Sequence, residues 1–164
     1  MKHIIFIRHG KAEEKWPRID DWSRKLTEKG EEKTREYIQA VKDKIKHVDA
    51  IISSGSRRTK QTAEIVAQEL GIARHAIQYH SALWTRESGD KKALLGMIHS
   101  FPASWKSVIL VGHNDELSEV AMSLTNAPLD YLPKSGSIGL WFSAHDRALI
   151  DKENNAEVWQ YLGD

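Results

Sequence analysis

The sequence predicts an α/β fold, with a single doubly wound, mostly parallel sheet and helices on both faces. Short apolar runs rich in β-branched residues, the pattern of buried parallel strands, alternate with longer segments whose apolar residues recur at helical spacing. This alternation is typical of βα units that build a parallel sheet. A chain of 164 residues has the length of one ordinary domain, so we expect a single domain over residues 1–164.

Six segments are expected to form strands. Three are continuous apolar runs, namely Ile4–Ile7, Ala50–Ser53 and Val108–Val111. A fourth, Ala76–Tyr79, is a weaker candidate. Two late segments, Ser137–Phe142 and Val158–Leu162, are candidates for antiparallel strands at an edge of the sheet.

Four segments carry an apolar stripe at helical spacing. The first helix is capped by Thr27, and its stripe is Tyr37, Ile38, Val41 and Ile45. The second follows the turn residues Ser54–Ser56 and stops at Gly71, and its stripe is Ala63, Val66, Ala67 and Leu70.

The third helix is expected from Asp90 to Phe101, before Pro102. The fourth is capped by Asn114, and its stripe is Leu117, Val120, Ala121 and Leu124.

The composition excludes several classes of protein. Hydrophobic residues make up 40% and charged residues 29%, and the net charge of +1 gives no support for a nucleic-acid or membrane partner. The absence of cysteine excludes disulfides and thiolate metal sites and fits a reducing compartment. The N-terminal apolar run stops at Arg8, which is too soon for a signal peptide, and no stretch approaches the roughly 18 apolar residues of a membrane span. We expect a cytoplasmic protein.

Polar residues with phosphate-binding chemistry follow three of the predicted strands. They are Arg8-His9-Gly10, Arg57-Arg58 and Gly112-His113-Asn114. The carboxyl ends of parallel strands meet at one edge of an open sheet, where α/β proteins bind ligands. The arginine pair also lies at a predicted helix N-terminus, which attracts anions. The sequence therefore predicts an anion site at this edge.

Five motifs resemble those of the histidine phosphatase (phosphoglycerate mutase-like) superfamily. They are Arg8-His9-Gly10; Ser54 with Arg58 and Gln61-Thr62-Ala63; Val111–Asn114; Arg24-Lys25-Leu26-Thr27 with Gly30; and Leu132–Gly136. Their order and approximate spacing match from Met1 to about residue 143. Within the superfamily the chain is most similar to SixA-type phosphohistidine phosphatases, and the resemblance implies a phosphoglycerate mutase-like fold.

The resemblance and the side-chain chemistry assign roles to the motif residues. His9 is the candidate nucleophile, because an unprotonated imidazole nitrogen can attack phosphorus; the alternative is a core histidine bonded to a carbonyl. Arg8 and Arg58 are candidate clamps for the phosphoryl oxygens, the alternative being surface ion pairs. The register selects Arg58 over Arg57, which should face solvent. His113 is expected to donate a hydrogen bond to a phosphoryl oxygen.

Three further residues are candidates for substrate binding. Gly10 permits close approach of the backbone, and Arg24 matches a family position near the phosphate, although an ion pair with a neighbouring acid is an equal alternative. Asn114 is read first as a helix cap and second as a phosphate contact. Trp84 and Trp141 are expected to be packing residues. Because no metal-ligand spacing occurs, we expect no metal and no cofactor.

An absent acid bears on the substrate. The resemblance implies that ester-cleaving relatives carry a glutamate in a Leu-x-Glu context, where this chain has Thr85; Glu87 and Asp90 lie nearby but out of register. A phosphohistidine can leave as neutral imidazole without a general acid. We therefore expect a monomeric phosphatase acting on phosphohistidine in a partner protein, in an open site. The alternatives are a small-ester phosphatase using Glu87 or Asp90 and a phosphate-binding module without turnover.

Overall fold

A computed structural model describes residues 3–16, 19–84, 91–142 and 156–162, which are arranged around one six-stranded sheet. The strands are β1 (His3–Arg8), β2 (Ala50–Ser53), β3 (Ile77–Tyr79), β4 (Ser107–Gly112), β5 (Ser137–Trp141) and β6 (Glu157–Leu162). Their order is β3-β2-β4-β1-β5-β6. The first four are parallel, whereas β5 runs antiparallel to both its neighbours. The predicted fold class is confirmed, including the antiparallel pairing of the late strands.

Four helices connect the strands. They are α1 (Glu28–Val41), α2 (Arg57–Glu69), α3 (Lys91–Ser100) and α4 (Glu116–Ser123). Thr27 caps α1 as predicted, since its hydroxyl accepts a hydrogen bond from the Gly30 amide at 3.1 Å. Gly71 has a φ of 68° just beyond α2 and ends it. Ile45 was expected in the stripe of α1 but lies beyond its end, because Lys42–Lys44 tighten into a 3-10 turn.

The two faces of the sheet bury two separate apolar clusters. On one face α3 and α4 cover alternate strand residues, including Ile4 and Phe6 of β1. On the other face α1 and α2 cover the residues between them, including Ile5 and Ile7. Each fully buried aliphatic side chain contributes roughly 1.5–3 kcal/mol. This double covering explains why the central strands read as continuous apolar runs. Within the described ranges no helix is long and apolar enough to cross a bilayer.

Two glycines hold the end of β1 against the start of α1. A Cβ added at Gly10 would lie 2.8 Å from the carbonyl oxygen of Gly30 and 2.7 Å from Oγ1 of Thr34. A Cβ added at Gly30 would overlap the backbone of Lys11. The segment that carries the RHG triplet is therefore fixed by direct contact between two backbones.

We expect Gly30→Ala to lower the free energy of unfolding by roughly 1–3 kcal/mol or more, because the methyl group has no space against the Lys11 backbone. Alanine favours a helix intrinsically, so only this overlap can produce the loss. The matched control is Gly96→Ala in α3, where a Cβ meets nothing within 4 Å. The control should gain roughly 0.5–1 kcal/mol. Urea denaturation measures both, and a Gly30→Ala variant as stable as the parent would contradict the packing described.

Candidate active site

The two motif histidines lie side by side at the carboxyl ends of β1 and β4. Arg8 pairs with Gly112 at the end of the parallel ladder, so the next residue of each strand emerges at the same edge. The rings of His9 and His113 have centroids 5.0 Å apart and are inclined at 58°. Their exposed fractions are only 8% and 9%. The structure thus brings together two residues that are about a hundred positions apart in the sequence.

The hydrogen bonds of His9 fix its tautomer. Nδ1 lies 2.7 Å from the carbonyl oxygen of Gly10, which can only accept, so Nδ1 carries the proton. Nε2 accepts from Nε of Arg58 at 3.2 Å, and an arginine nitrogen can only donate. The lone pair of His9 is therefore on Nε2, on the side where the arginine lies.

His9 is uncharged at neutral pH. Burial lowers the pKa of its imidazole to about 3. The bond to the Gly10 carbonyl opposes this lowering of the pKa, but the positive charges of Arg58, Arg8 and Arg24 reinforce it. An unprotonated Nε2 is the form that a nucleophilic imidazole requires.

Arg58 connects the components of the site. It is the second residue of α2 and is only 5% exposed, whereas Arg57 before it faces solvent. Its Nη2 lies 2.8 Å from Oδ2 of Asp21 and 3.4 Å from Nδ1 of His113. Its Nη1 donates to the backbone carbonyl of Asp21. The structure places Arg58 rather than Arg57 in the site, in agreement with the register inferred from the motif.

A cluster of buried hydroxyls lies behind His113. Nε2 of the ring is 3.0 Å from Oγ of Ser54 and 3.3 Å from Oγ of Ser56, and Thr59 contacts both serines at 2.6 and 2.9 Å. Ser56 precedes α2, yet its hydroxyl makes no capping bond to the helix backbone. Nδ1 of His113 faces Nη2 of Arg58, which can only donate, so the ring proton lies on Nε2. Nε2 therefore donates to the serine hydroxyls. Sequence reasoning identified Ser54 only as part of a motif and missed the cluster.

Burial also keeps His113 uncharged. It lowers the pKa of the imidazole to about 2, and the neighbouring His9 and Arg58 act in the same direction. Both imidazoles are therefore neutral, and the positive charge beside them belongs to arginine.

Asp21 is a site residue that the motifs did not indicate. It lies in a single 3-10 turn, Asp21–Ser23, and contacts both Arg58 and Arg24. Partial burial raises the pKa of Asp21, but the hydrogen bonds and charges of the two arginines outweigh it and lower the pKa to about 2. Arg24 forms an ion pair with Asp21 at 2.7 Å and donates to the Glu13 carbonyl, which is the structural alternative considered for it.

A cavity of about 360 Å³ opens above these groups. It is lined by Lys15, Asp20, Asp21, Trp22, Arg58, Trp84, His113 and Asn114. Trp84 packs edge-on against His113 with ring centroids 4.4 Å apart and against Trp22 at 5.0 Å. The guanidinium carbon of Arg58 lies 5.1 Å from the Trp84 ring centroid. Trp84, expected to be a packing residue, thus forms a wall of the site. Its place beyond the carboxyl end of β3, the edge where the other site residues lie, is the sequence feature that indicates this role.

Asn114 lines the cavity but is not a helix cap, so that prediction was wrong. The residue before α4 is Asp115, and the Asn114 side chain makes tertiary bonds instead. Its Nδ2 donates to the carbonyl of Leu132 at 2.9 Å, and its Oδ1 accepts from the hydroxyl of Ser118 at 2.6 Å. These bonds hold the amide at the wall of the cavity.

Arg8 and Gly10 lie beside this cavity without lining it. Arg8 donates through Nη1 to the Leu132 carbonyl at 2.7 Å, and its charge contributes to the low pKa of both histidines. Its buried Nε has no hydrogen-bond partner within the described ranges. The Gly10 amide donates to Oγ1 of Thr62 at 3.1 Å. The observed contacts of Gly10 are therefore with neighbouring helices, and they position His9.

Thr85, Glu87 and Asp90, on which the argument about a general acid depends, lie outside the described residues. Among the residues that the structure does describe, no group of three or more histidine, aspartate or glutamate side chains is arranged to hold a metal ion.

The low pKa of His113 predicts a pH-dependent loss of stability. Below its ordinary pKa of 6.5 the unfolded chain takes up a proton that the folded chain excludes down to about pH 2, so stability is complete above pH 6.5 and falls as the pH decreases. Between about pH 7.5 and 4.5 this linkage costs about 2–3 kcal/mol. The His113→Asn variant lacks this linkage, so its free energy of unfolding should fall by about 2–3 kcal/mol less than that of the parent over the same pH change. Urea denaturation of both proteins at both pH values measures the difference. An equal loss in parent and variant would show that the folded imidazole accepts the proton.

The amino-acid sequence matches a known family and a curated relative. The family model for the histidine phosphatase superfamily (branch 1) matches residues 4–94. An uncharacterised protein from Picosynechococcus sp. is 34% identical over 143 residues, 84% of this chain and 83% of its own. A 2,3-bisphosphoglycerate-dependent phosphoglycerate mutase from Parvibaculum lavamentivorans is 36% identical over 101 residues, but these are 56% of this chain and 44% of the mutase.

Solved structures share the fold over nearly the whole chain. The SixA protein from Agrobacterium tumefaciens superimposes with a TM-score of 0.80, at 22% identity, over 99% of this chain and 98% of that one. The protein histidine phosphatase SixA in complex with tungstate also gives 0.80, at 17% identity, over 98% and 96% of the two chains. With the family model and the relative at 34% identity, the conclusion is that this chain belongs to the histidine phosphatase superfamily and has the SixA fold.

Proposed function

We propose that this protein is a cofactor-independent phosphatase that hydrolyses phosphohistidine on a partner protein, through a phosphorylated intermediate on His9. Membership of the superfamily supports a phosphatase-type hydrolase. The observation that carries the proposal is a neutral His9 with its lone pair on Nε2, bonded to the buried Arg58. Arg58 in turn lines a cavity whose described carboxylates are poor proton donors.

In the first step Nε2 of His9 attacks the phosphorus atom of the substrate. A bond forms between Nε2 and phosphorus while the bond from phosphorus to the leaving nitrogen breaks, and the leaving imidazole takes the electron pair. Nδ1 of His9 keeps its proton throughout, held by the Gly10 carbonyl. No proton transfer is needed to prepare the nucleophile, since the low pKa of His9 has already removed the proton from Nε2.

The leaving group distinguishes the candidate substrates. An alkyl ester leaves as an alkoxide unless an acid protonates it, whereas a phosphohistidine that is protonated on its other nitrogen leaves as neutral imidazole. The two described carboxylates that line the cavity are poor donors of that proton, because the Ser23 hydroxyl lowers the pKa of Asp20 and the arginines lower that of Asp21. These observations favour a nitrogen–phosphorus bond as the substrate.

In the second step water attacks the phosphorus of the intermediate. The bond to Nε2 breaks, the electron pair returns to His9, and the water releases its proton to the phosphate product or to solvent. His9 leaves as a neutral imidazole for the same reason as the substrate histidine does, because its Nδ1 is protonated. Neither step requires a metal or a cofactor among its reactants.

The arginines and His113 would stabilise the charge of the transferring group. Guanidinium groups bind phosphoryl oxygens in a fork, and Arg58 already directs both terminal nitrogens to oxygens of Asp21, Nη2 to the carboxylate and Nη1 to the backbone carbonyl. Arg8 lies beside both histidines, and its Nε has no partner among the described residues. His113 would donate to a phosphoryl oxygen from Nδ1, which requires that this oxygen replaces Arg58 at Nδ1 and that the ring proton moves there from Nε2. Fixed donors of this kind supply the largest share of many rate enhancements.

The walls of the cavity fit a planar leaving group. Trp22 and Trp84 present aromatic surface beside Arg58, and an imidazole ring packs favourably on such surfaces. The solved neighbour named a protein histidine phosphatase shares the fold. The mutase relative supports the alternative of a small phosphate ester, with Glu87 or Asp90 as the acid. A binding module without turnover is disfavoured, because the nucleophile and its tautomer-fixing bond are both present.

A comparison of substrates tests the proposal. A phosphohistidine protein and activated aryl phosphates should be hydrolysed at least about 10²-fold faster than alkyl phosphates, since a missing acid typically costs 10²–10⁴-fold. Rapid quenching should trap phosphate that is stable in alkali and labile in acid, and His9→Ala should lose both the trapped phosphate and the turnover. Glu87→Gln and Asp90→Asn should keep phosphohistidine hydrolysis. Efficient alkyl-ester hydrolysis that either of these changes abolishes would establish the small-ester alternative.

The adjacent arginines provide a matched pair of variants. Arg58→Ala should reduce the catalytic rate on the order of 10²-fold, the effect of removing one charge-stabilising group from a preorganised site. Arg57→Ala removes the same charge from a solvent-exposed neighbour and should leave the rate nearly unchanged. Steady-state rates with an activated aryl phosphate measure both. Equal effects of the two changes would mean that Arg58 acts only through the net charge of the helix end.

A further inference from the structure

A second cavity, of about 390 Å³, lies beside the candidate active site. It is lined by Arg8, Lys11, Lys29, Gly30, Lys33, Pro133, Lys134 and Ser135. Five of these residues are basic and none is acidic. In the whole chain the 24 basic residues are nearly balanced by 23 acidic ones, so this cavity is a strong local excess of positive charge. A concave site lined by one sign of charge focuses the field and concentrates counter-ions.

Arg8 connects this basic cavity to the active site. Its guanidinium donates to the carbonyl of Leu132, which also accepts from Asn114 in the wall of the active-site cavity. Its charge acts on both histidines, although its side chain lines the basic cavity. In the part of the chain that the structure describes, Nε of Arg8 has no partner, so the guanidinium has a buried donor that these residues leave unsatisfied.

The wall of the basic cavity is bonded to the backbone of the catalytic segment. The amide of Ser135 donates to the carbonyl of His9 at 3.1 Å, and the amide of Arg8 donates to the carbonyl of Gly136 at 3.0 Å. The hydroxyl of Ser135 is 3.0 Å from that of Thr34 in α1. The cavity is therefore formed by β1, α1 and the segment before β5, which also position His9.

We propose that this basic cavity is a second oxyanion site, which binds a compact polyanion bearing phosphate or carboxylate groups and shares Arg8 with the active site. Its volume lies within the roughly 300–1,000 Å³ of small-molecule sites. Lysine ammonium groups bind such oxygens as point charges, and Arg8 adds a directional donor. An occupant would compete with the transferring phosphoryl group for the charge of Arg8. Binding of an anion in the basic cavity would therefore change the catalytic rate through Arg8. This proposal does not depend on which phosphate compound the active site hydrolyses.

Calorimetric titration with tripolyphosphate and with citrate tests the proposal. We expect the parent protein to bind tripolyphosphate at two sites at about 0.15 M salt, where long-range attraction is screened. Arg58→Ala should remove one site and keep the other. Lys29→Glu and Lys134→Glu should each weaken the site that Arg58→Ala keeps by at least tenfold. The matched control is Lys92→Glu, which makes the same charge change at an exposed position of α3, on the other face of the sheet. It should leave the affinity of both sites unchanged.

Tripolyphosphate and citrate together show whether the basic cavity prefers phosphate or also binds carboxylate. Binding of tripolyphosphate alone assigns the basic cavity to phosphate groups, and binding of both anions assigns it to oxyanions in general. Lys29→Arg and Lys134→Arg should retain binding, which shows that the glutamate variants act through charge and not through misfolding. A single tripolyphosphate site that Arg58→Ala abolishes and the lysine variants leave intact would overturn the proposal. Equal weakening by Lys92→Glu would also overturn it.

Discussion

The arrangement of the site depends on one buried cation, the guanidinium of Arg58. Burying a charge is costly unless it is paired and hydrogen-bonded, and this one is only 5% exposed. Asp21 compensates it with a carboxylate oxygen and a backbone carbonyl, and the Trp84 ring lies against it. In return, its charge lowers the pKa of both imidazoles. Burial is the main reason why both histidines are neutral, and the charge of Arg58 adds to it. The same side chain holds the Asp21 turn in place through its two bonds to Asp21.

The fold and the main site residues could be predicted from the sequence, because their signals are local. A strand buried on both faces must be apolar at every position, so the runs around Ile4–Ile7 and Val108–Val111 are unambiguous. Residues that directly follow such strands must emerge at the same edge of a parallel sheet. This geometry predicts that His9, His113 and the Arg57-Arg58 pair lie at one edge, and the register of the family motif selects Arg58, which the structure places against both histidines.

The remaining site residues depend on contacts between distant segments. Nothing near Asp21 in the sequence indicates that its carboxylate meets α2, 37 residues later. Ser56 was expected only as a turn residue and Asn114 as the cap of the following helix. In the fold, Ser56 contacts His113 and Asn114 bonds to Leu132, because tertiary partners outcompete the local backbone. Propensity arguments cannot anticipate such competition.

Arg58 and Arg8 differ in how many of their donors already have partners, and this difference explains why the site needs both. Every nitrogen of Arg58 already has a protein partner, so a phosphoryl group that binds it in a fork competes with Asp21. Arg8 has a buried donor without a partner among the described residues, and it lines the basic cavity beside the active site. If phosphate moves between two imidazoles, the bond made and the bond broken are of the same kind, so transfer is close to balanced in energy. Catalysis then depends on charge stabilisation of the transferring group, which is what a second cation with free donors provides.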